Sequence, residues 1–163
     1  MTENLIIENN LTLAEQYKAL NKQLRALLNN SENLLSNLSN FTAALKQTFG
    51  KISWVGFYIF DGEKLYLGPF QGKVACTIIQ IGKGVCGTSA EKLKTIVVPD
   101  VNVFPGHIAC DTDSKSEIVI PILKENKLWG VLDLDSASTN SFNEIDRLYL
   151  ENFCKFLSEE IIR

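Results

Sequence analysis

The hydrophobic period of this chain changes once, near residue 50, and the change divides it into two unlike parts. Before Gly50 there is neither proline nor glycine. Leu13, Tyr17, Leu20, Leu24, Leu27 and Leu28 recur at helical spacing, which predicts an amphipathic helix. Thr12 is placed to cap it, with Glu15 three residues on completing a capping box. Asn29-Asn30-Ser31 breaks the pattern, and Ser31 is the expected cap of a second helix carrying Leu34, Leu35, Leu38, Phe41, Leu45 and Phe49. Two helices with one apolar stripe each must bury it against a sheet or a partner subunit.

From Ile52 the period is two. Ser53 to Phe60 reads as a strand, Asp61-Gly62 as a hairpin turn, and Lys64 to Phe70 as the answering strand. Further strands are expected at Lys73 to Ile81, Thr95 to Val98, Glu117 to Leu123 and Leu128 to Asp135, the last two joined by a turn at Lys124 to Lys127. A glycine-rich loop, Gly82 to Thr88, precedes a short helix expected at Thr88 to Leu93. The segment from Val101 to Ser116 has no periodicity and reads as a long loop. Phe142 to Ile162 reads as a closing helix capped by Asn143. The order describes one α+β domain over residues 1–163, with a helical segment at 1–50 and a sheet core with its closing helix at 51–163.

Composition excludes several function classes. A net charge of −3 suggests neither a nucleic-acid partner nor an anionic membrane surface. No apolar run approaches the roughly 18 residues that span a bilayer. The N-terminus lacks a basic segment followed by a long apolar one, so no signal peptide is expected and the expected compartment is the cytoplasm. In that compartment four cysteines point to redox chemistry or metal binding rather than to a structural framework. No C-x-x-C pair exists and His107 is the single histidine, so neither a zinc site nor another metal or cofactor is expected. The same histidine makes a poor case for a Cys110–His107 dyad, which would need an orienting partner.

The chemistry-bearing residues cluster in the second half. Cys76 falls in a strand pattern, Cys86 in the glycine loop and Cys110 in the long loop. Cys154 lies beside Phe153 and Phe156 in the closing helix and reads as core. In Val131 to Asp135 alternation puts Asp133 and Asp135 on one face and the leucines on the other. Trp54, Gly56 and Tyr58 share a face of their own strand, with Gly56 leaving a gap between two rings. Acids on one wall and aromatics on another would suit a small cation with an apolar tail, such as an amino acid with its ammonium group. The plainer alternative has these aspartates facing solvent and Trp54 in the core, since one-sided sheets expose their polar face.

Several segments resemble one family. They are Trp54-Val55-Gly56-Phe57-Tyr58, Leu67 to Lys73 with Ala75-Cys76, Gly84-Val85-Cys86-Gly87-Thr88, Pro99-Asp100-Val101, Phe104 to Cys110, Ser116 to Val119, and Gly130 to Ser136. In this order they resemble the free methionine-(R)-sulfoxide reductases, a catalytic branch of the GAF domains. The resemblance implies a GAF-like six-stranded antiparallel sheet flanked by helices, with two N-terminal helices and one C-terminal helix, usually in a homodimer. It implies reduction of free methionine-(R)-sulfoxide, with thioredoxin or a similar dithiol as reductant. It matches Cys110 to the catalytic cysteine, Cys76 to the usual resolving cysteine and Cys86 to an additional or alternative one. It matches Trp54, Tyr58, Glu117, Asp133 and Asp135 to the substrate pocket. In chemical terms Cys110 would attack the sulfoxide sulfur, and a clustered carboxyl, Glu117 or Asp135, would protonate the departing oxygen. A non-catalytic GAF module that binds a small molecule is the rival; it has no use for Cys76 and Cys110 together beside the acids.

Overall fold

The computed structural model describes residues 4–8, 10–106 and 112–163. Helix α1 spans Leu13–Leu27 and opens with the expected box: Glu15 N–H donates to Thr12 Oγ1 while the Glu15 carboxylate accepts from Thr12 N–H. Helix α2 spans Leu34–Thr48, and its cap is Asn33 rather than Ser31, with Leu35 N–H donating to Asn33 Oδ1 at 2.8 Å. Ser31 is instead held in the preceding turn by its N–H donating to Asn29 Oδ1. Both residue types can cap, and the bonding of Asn29 to Asn37 decides where the helix begins.

The strands are β1 Trp54–Phe60, β2 Lys64–Gln71, β3 Ile78–Gln80, β4 Ile96–Val98, β5 Ser116–Lys124 and β6 Lys127–Ser136. They form one six-stranded sheet in the order β3-β2-β1-β6-β5-β4, and every neighbouring pair is antiparallel. The β1–β2 turn uses Gly62 at φ +106, with Asp61 Oδ1 accepting from Glu63 and Lys64 N–H. Glu125 and Asn126 both adopt left-handed backbone, the requirement of a two-residue turn between twisted strands.

Alternation divides the core. Val55, Phe57, Ile118, Ile120, Leu132 and Leu134 face α1, α2 and the closing helix α4, Glu144–Phe156. Asn143 caps α4, and a single turn of wider helix follows at Leu157–Ile161. Asp146 is fully buried there, yet it accepts from Tyr17 Oη (2.8 Å), Lys51 Nζ (2.7 Å) and Asn143 N–H (2.9 Å), so the carboxylate joins α1, the entry to β1 and α4. Cys154 is buried in this same layer, as expected. The opposite face carries Trp54, Tyr58, Val119 and Val131 under helix α3, Gly84–Lys92. No helix of the described residues is long and apolar enough to cross a membrane.

Two elements differ from the sequence expectation, and both lie on the α3 face. The strand expected from Lys73 shrinks to β3, because the backbone turns away at Gly72, φ +139, where the Trp54 ring presses against it. Cys76 therefore sits outside the sheet, half-buried, and not in a strand. Helix α3 starts at Gly84, four residues before the expected Thr88, so Cys86 lies in a helix and not in a loop. Gly82 and Gly84 at positive φ make the tight entry. At Gly87 an added Cβ would stand 2.2 Å from the Gln80 carbonyl, which is how close this helix lies to β3.

Candidate active site

Strand register assembles the acids and the aromatics. Glu117 on β5 lies opposite Asp135 on β6, which lies opposite Trp54 on β1. One step along the same face, Val119, Asp133 and Gly56 form the next row, and Pro121, Val131 and Tyr58 the third. Directly opposed residues have Cβ atoms about 4.5–5.5 Å apart, so three elements distant in sequence deliver their side chains to one spot.

Helix α3 and the 73–76 segment roof this spot and leave a cleft. Trp54, Tyr58, Ala75, Val85, Ser114, Glu117, Asp133 and Asp135 are among its walls. Its free volume is about 40 Å³, room for a few waters. Asp133 and Glu117 do not face bulk solvent, because α3 covers the polar face and leaves each 6% exposed, while Asp135 is half-buried. Trp54 is core and wall at once, at 3%.

Gly56 does not leave an open gap. The Trp54 ring folds over it and stacks on Phe70, with centroids 5.5 Å apart, and on Tyr58 at 6.1 Å. A Cβ at Gly56 would meet Trp54 Cη2 at 2.4 Å and Phe70 Cβ at 2.6 Å. Gly56→Ala is therefore expected to cost about 1–3 kcal/mol of stability through overpacking. It should also change tryptophan emission by displacing the ring. Thermal melting and fluorescence spectra check this; an unshifted Tm would mean that the ring has somewhere else to go.

The two aromatic residues do more than form a wall. Trp54 Nε1 donates to the Lys73 carbonyl at 3.0 Å, and the Tyr58 hydroxyl donates to the Cys76 carbonyl, also at 3.0 Å. They hold the backbone around Cys76, whose neighbour Ala75 lines the cleft. Cys76 is disulfide-bonded. Cys110 and His107 lie outside the described residues. Lys73 pairs with Asp113, which ties the Cys76 segment to the chain just after the residues not described.

The electrostatics follow from burial. Desolvation raises the Glu117 carboxyl well above the usual range, and the Asp135 charge raises it further. Asp133 is raised by burial first and then by the charges of Glu117 and Asp135. The Cys86 thiol is pushed up by burial and by the same acids. Like charges this close cannot all ionise, so the cluster retains protons where isolated carboxyls would not. Asp135 is half-buried, and Ser114 Oγ donates to its Oδ1 at 2.6 Å.

Cys86 Sγ and the carboxylates of Glu117 and Asp133 all lie within 4.8 Å of one another. That spacing lets the group share one cation, and an organic ammonium is the cation that a neighbouring aromatic wall favours. The structure thus brings together Trp54, Tyr58, Cys76, Cys86, Glu117, Asp133 and Asp135. Sequence reasoning missed Ser114, which sits in an aperiodic loop, and Phe70, whose strand gave no hint that its ring backs Trp54.

Residues 33–161 match the GAF domain family. The chain is 51% identical to GAF domain-containing protein A of Dictyostelium discoideum, over 96% of this chain and 99% of that protein. It is 42% identical to the free methionine-R-sulfoxide reductase of Saccharomyces cerevisiae, over 94% of this chain and 90% of that one. Among solved structures, the free methionine-R-sulfoxide reductase of Neisseria meningitidis in complex with its substrate superposes with a TM-score of 0.89 at 39% identity, covering 96% of this chain and 95% of that one. With a six-stranded antiparallel sheet under the same helices and an acid-and-aromatic cleft on its α3 face, the chain belongs to the GAF domain family, on the branch of the free methionine-(R)-sulfoxide reductases.

Proposed function

We propose that this chain reduces free methionine-(R)-sulfoxide to methionine. The observation that carries the reading is the row Glu117–Asp135–Trp54, sunk in a small cleft, with the disulfide-bonded Cys76 held beside its wall by Tyr58. The acids hold an α-ammonium group, and the rings of Trp54 and Tyr58 take the S-methyl end. An ammonium group is lost when methionine is joined in a peptide, so a site built on it favours the free amino acid. The R epimer follows from the substrate named for the relatives in this branch.

The chemistry proceeds in three balanced steps. The Cys110 sulfur attacks the sulfoxide sulfur, the oxygen takes a proton and passes to Cys110, and methionine leaves while Cys110 becomes a sulfenic acid. Cys76 condenses with that sulfenic acid, a disulfide forms and water departs. An external dithiol reduces the disulfide by exchange, so two thiol equivalents supply both electrons. Glu117 is the favoured proton donor, because burial and the Asp135 charge keep its proton in place. Thioredoxin, or a dithiol protein like it, is the reductant in this reading. The chain acts in the cytoplasm as one domain over residues 1–163, in a homodimer.

Cys76→Ser tests the cycle. Pre-reduced and given methionine-(R)-sulfoxide without reductant, it should release about one methionine per subunit, the burst of a covalent first half-reaction. With thioredoxin, thioredoxin reductase and NADPH it should then turn over at least about tenfold more slowly than the wild type. Full cycling would remove Cys76 from the mechanism. Binding of the sulfoxide with no methionine from the wild type would mark a ligand sensor instead.

A further inference from the structure

We propose that Cys86 is a positioning residue: its S–H, set behind Asp133 and Glu117, fixes the two carboxyls in the arrangement that receives the substrate, and it takes no part in disulfide exchange. The inference rests on the proposed reduction of methionine sulfoxide at this cleft.

Three observations carry it. The first is placement. The close approach of Gly87 to the Gln80 carbonyl seats α3 against the sheet and aims Cys86 at the acids, with Sγ and both carboxylates inside a 4.8 Å group. The second is access. Cys86 is 4% exposed and free, while Cys76 is half-buried and disulfide-bonded, so the two cysteines occupy unlike sites although they are ten positions apart in sequence. A sulfur that resolves a sulfenic acid must reach it in line and attack as a thiolate. Burial among carboxyls holds the Cys86 thiol in its protonated, unreactive form.

The third is the state of Asp133. Its carboxyl meets Cys86 and Glu117, yet its Oδ1 is buried with no hydrogen-bond partner. Such an atom is costly unless something arrives to satisfy it. It is the natural acceptor for the incoming ammonium. A thiol has one proton to donate, so it anchors the carboxyl from the helix side without competing for that acceptor.

A resolving cysteine and a positioning cysteine fail at different steps, and rapid-quench measurement separates them. Pre-reduced wild type, Cys86→Ala and Cys86→Ser are mixed with free methionine-(R)-sulfoxide without reductant, and methionine per subunit is followed through the first turn. Loss of a resolver leaves this turn untouched and slows only the recycling. We expect Cys86→Ala to slow the first turn by about tenfold and to raise KM, because a buried carboxyl loses its partner. Cys86→Ser, which keeps a donor of similar size, should recover most of both. An alanine variant with a wild-type first turn, or a serine variant as impaired as alanine, overturns the proposal.

If the alanine variant does not fold, peptide mass spectrometry of the wild type decides. After turnover, Cys86 should be recovered as a free thiol that resists alkylation until the protein is denatured. A disulfide containing Cys86 overturns the proposal. No methionine from the wild type would sink the functional reading and this inference together, whereas a normal wild-type burst with an unaffected alanine variant sinks this inference alone.

Discussion

Cys110→Ser should lower turnover of free methionine-(R)-sulfoxide by at least about 10³-fold, the scale on which single nucleophile replacements act. It should leave Tm within a few degrees of wild type. The expectation comes from setting the three described sulfurs against the cleft. Cys154 lies in the layer of α1, α2 and α4, on the far side of the sheet from the acids. Cys86 is buried behind the carboxyls, and its thiol is held up by desolvation and by their charge. Cys76 is half-buried, disulfide-bonded and tethered through its carbonyl to Tyr58. In the proposed cycle the first attack falls to Cys110, the cysteine that the family resemblance matches to the nucleophile. A serine oxygen cannot accept an oxygen atom as a thiol does when it becomes a sulfenic acid. Coupled NADPH oxidation and direct methionine analysis check the result. Activity within tenfold of wild type would move the nucleophile to Cys76 or Cys86, and the burst size of Cys76→Ser would then say which.

Much of this arrangement is legible in the sequence because strands alternate. From Trp54-Val55-Gly56-Phe57-Tyr58 and Val131-Leu132-Asp133-Leu134-Asp135 one reads which residues share a face, and the register confirms it. Capping chemistry places the starts of α1 and α4, since Thr12 with Glu15 and Asn143 with Asp146 bond locally. What alternation does not tell is what lies over a face. Asp133 in a strand reads equally well as solvated or buried, and α3 decides; its position depends on the contact of Gly87 with the Gln80 carbonyl, a tertiary fact. The same holds for Cys76. Its apolar neighbours suggest a strand, but Trp54 lying on Gly72 and donating to Lys73 turns the chain out of the sheet. The resemblance names the acids and thiols of the site. It does not separate Cys76 from Cys86, which differ in exposure rather than in residue type.

Glu117→Gln should slow the first turn by about 10²-fold or more near neutral pH, the usual contribution of a positioned acid. It should also remove the alkaline limb of the rate profile. The wild-type rate is expected to fall as pH rises, because the proton that desolvation and the Asp135 charge retain on Glu117 is eventually lost. Glutamine has no proton to transfer, so its slow rate should stay nearly flat over the range in which the wild-type rate declines. If Glu117 only binds the ammonium, the loss should appear in KM and the alkaline limb should persist. Stability supplies an independent check with a definite sign. The folded-state Glu117 pKa lies above its unfolded value of about 4.3, so between the two values the native state binds more protons than the unfolded chain. The contribution of Glu117 to stability is full below about pH 4 and is lost as pH rises toward the folded pKa. Removing the ionisable group removes that loss. The Tm of Glu117→Gln relative to wild type should therefore climb from pH 5 to pH 9, by about 2–4 °C for each kcal/mol regained in a chain of this size. A Tm difference that stays constant with pH would mean that Glu117 ionises in the folded protein as it does in the unfolded one, which would remove the basis for naming it the acid.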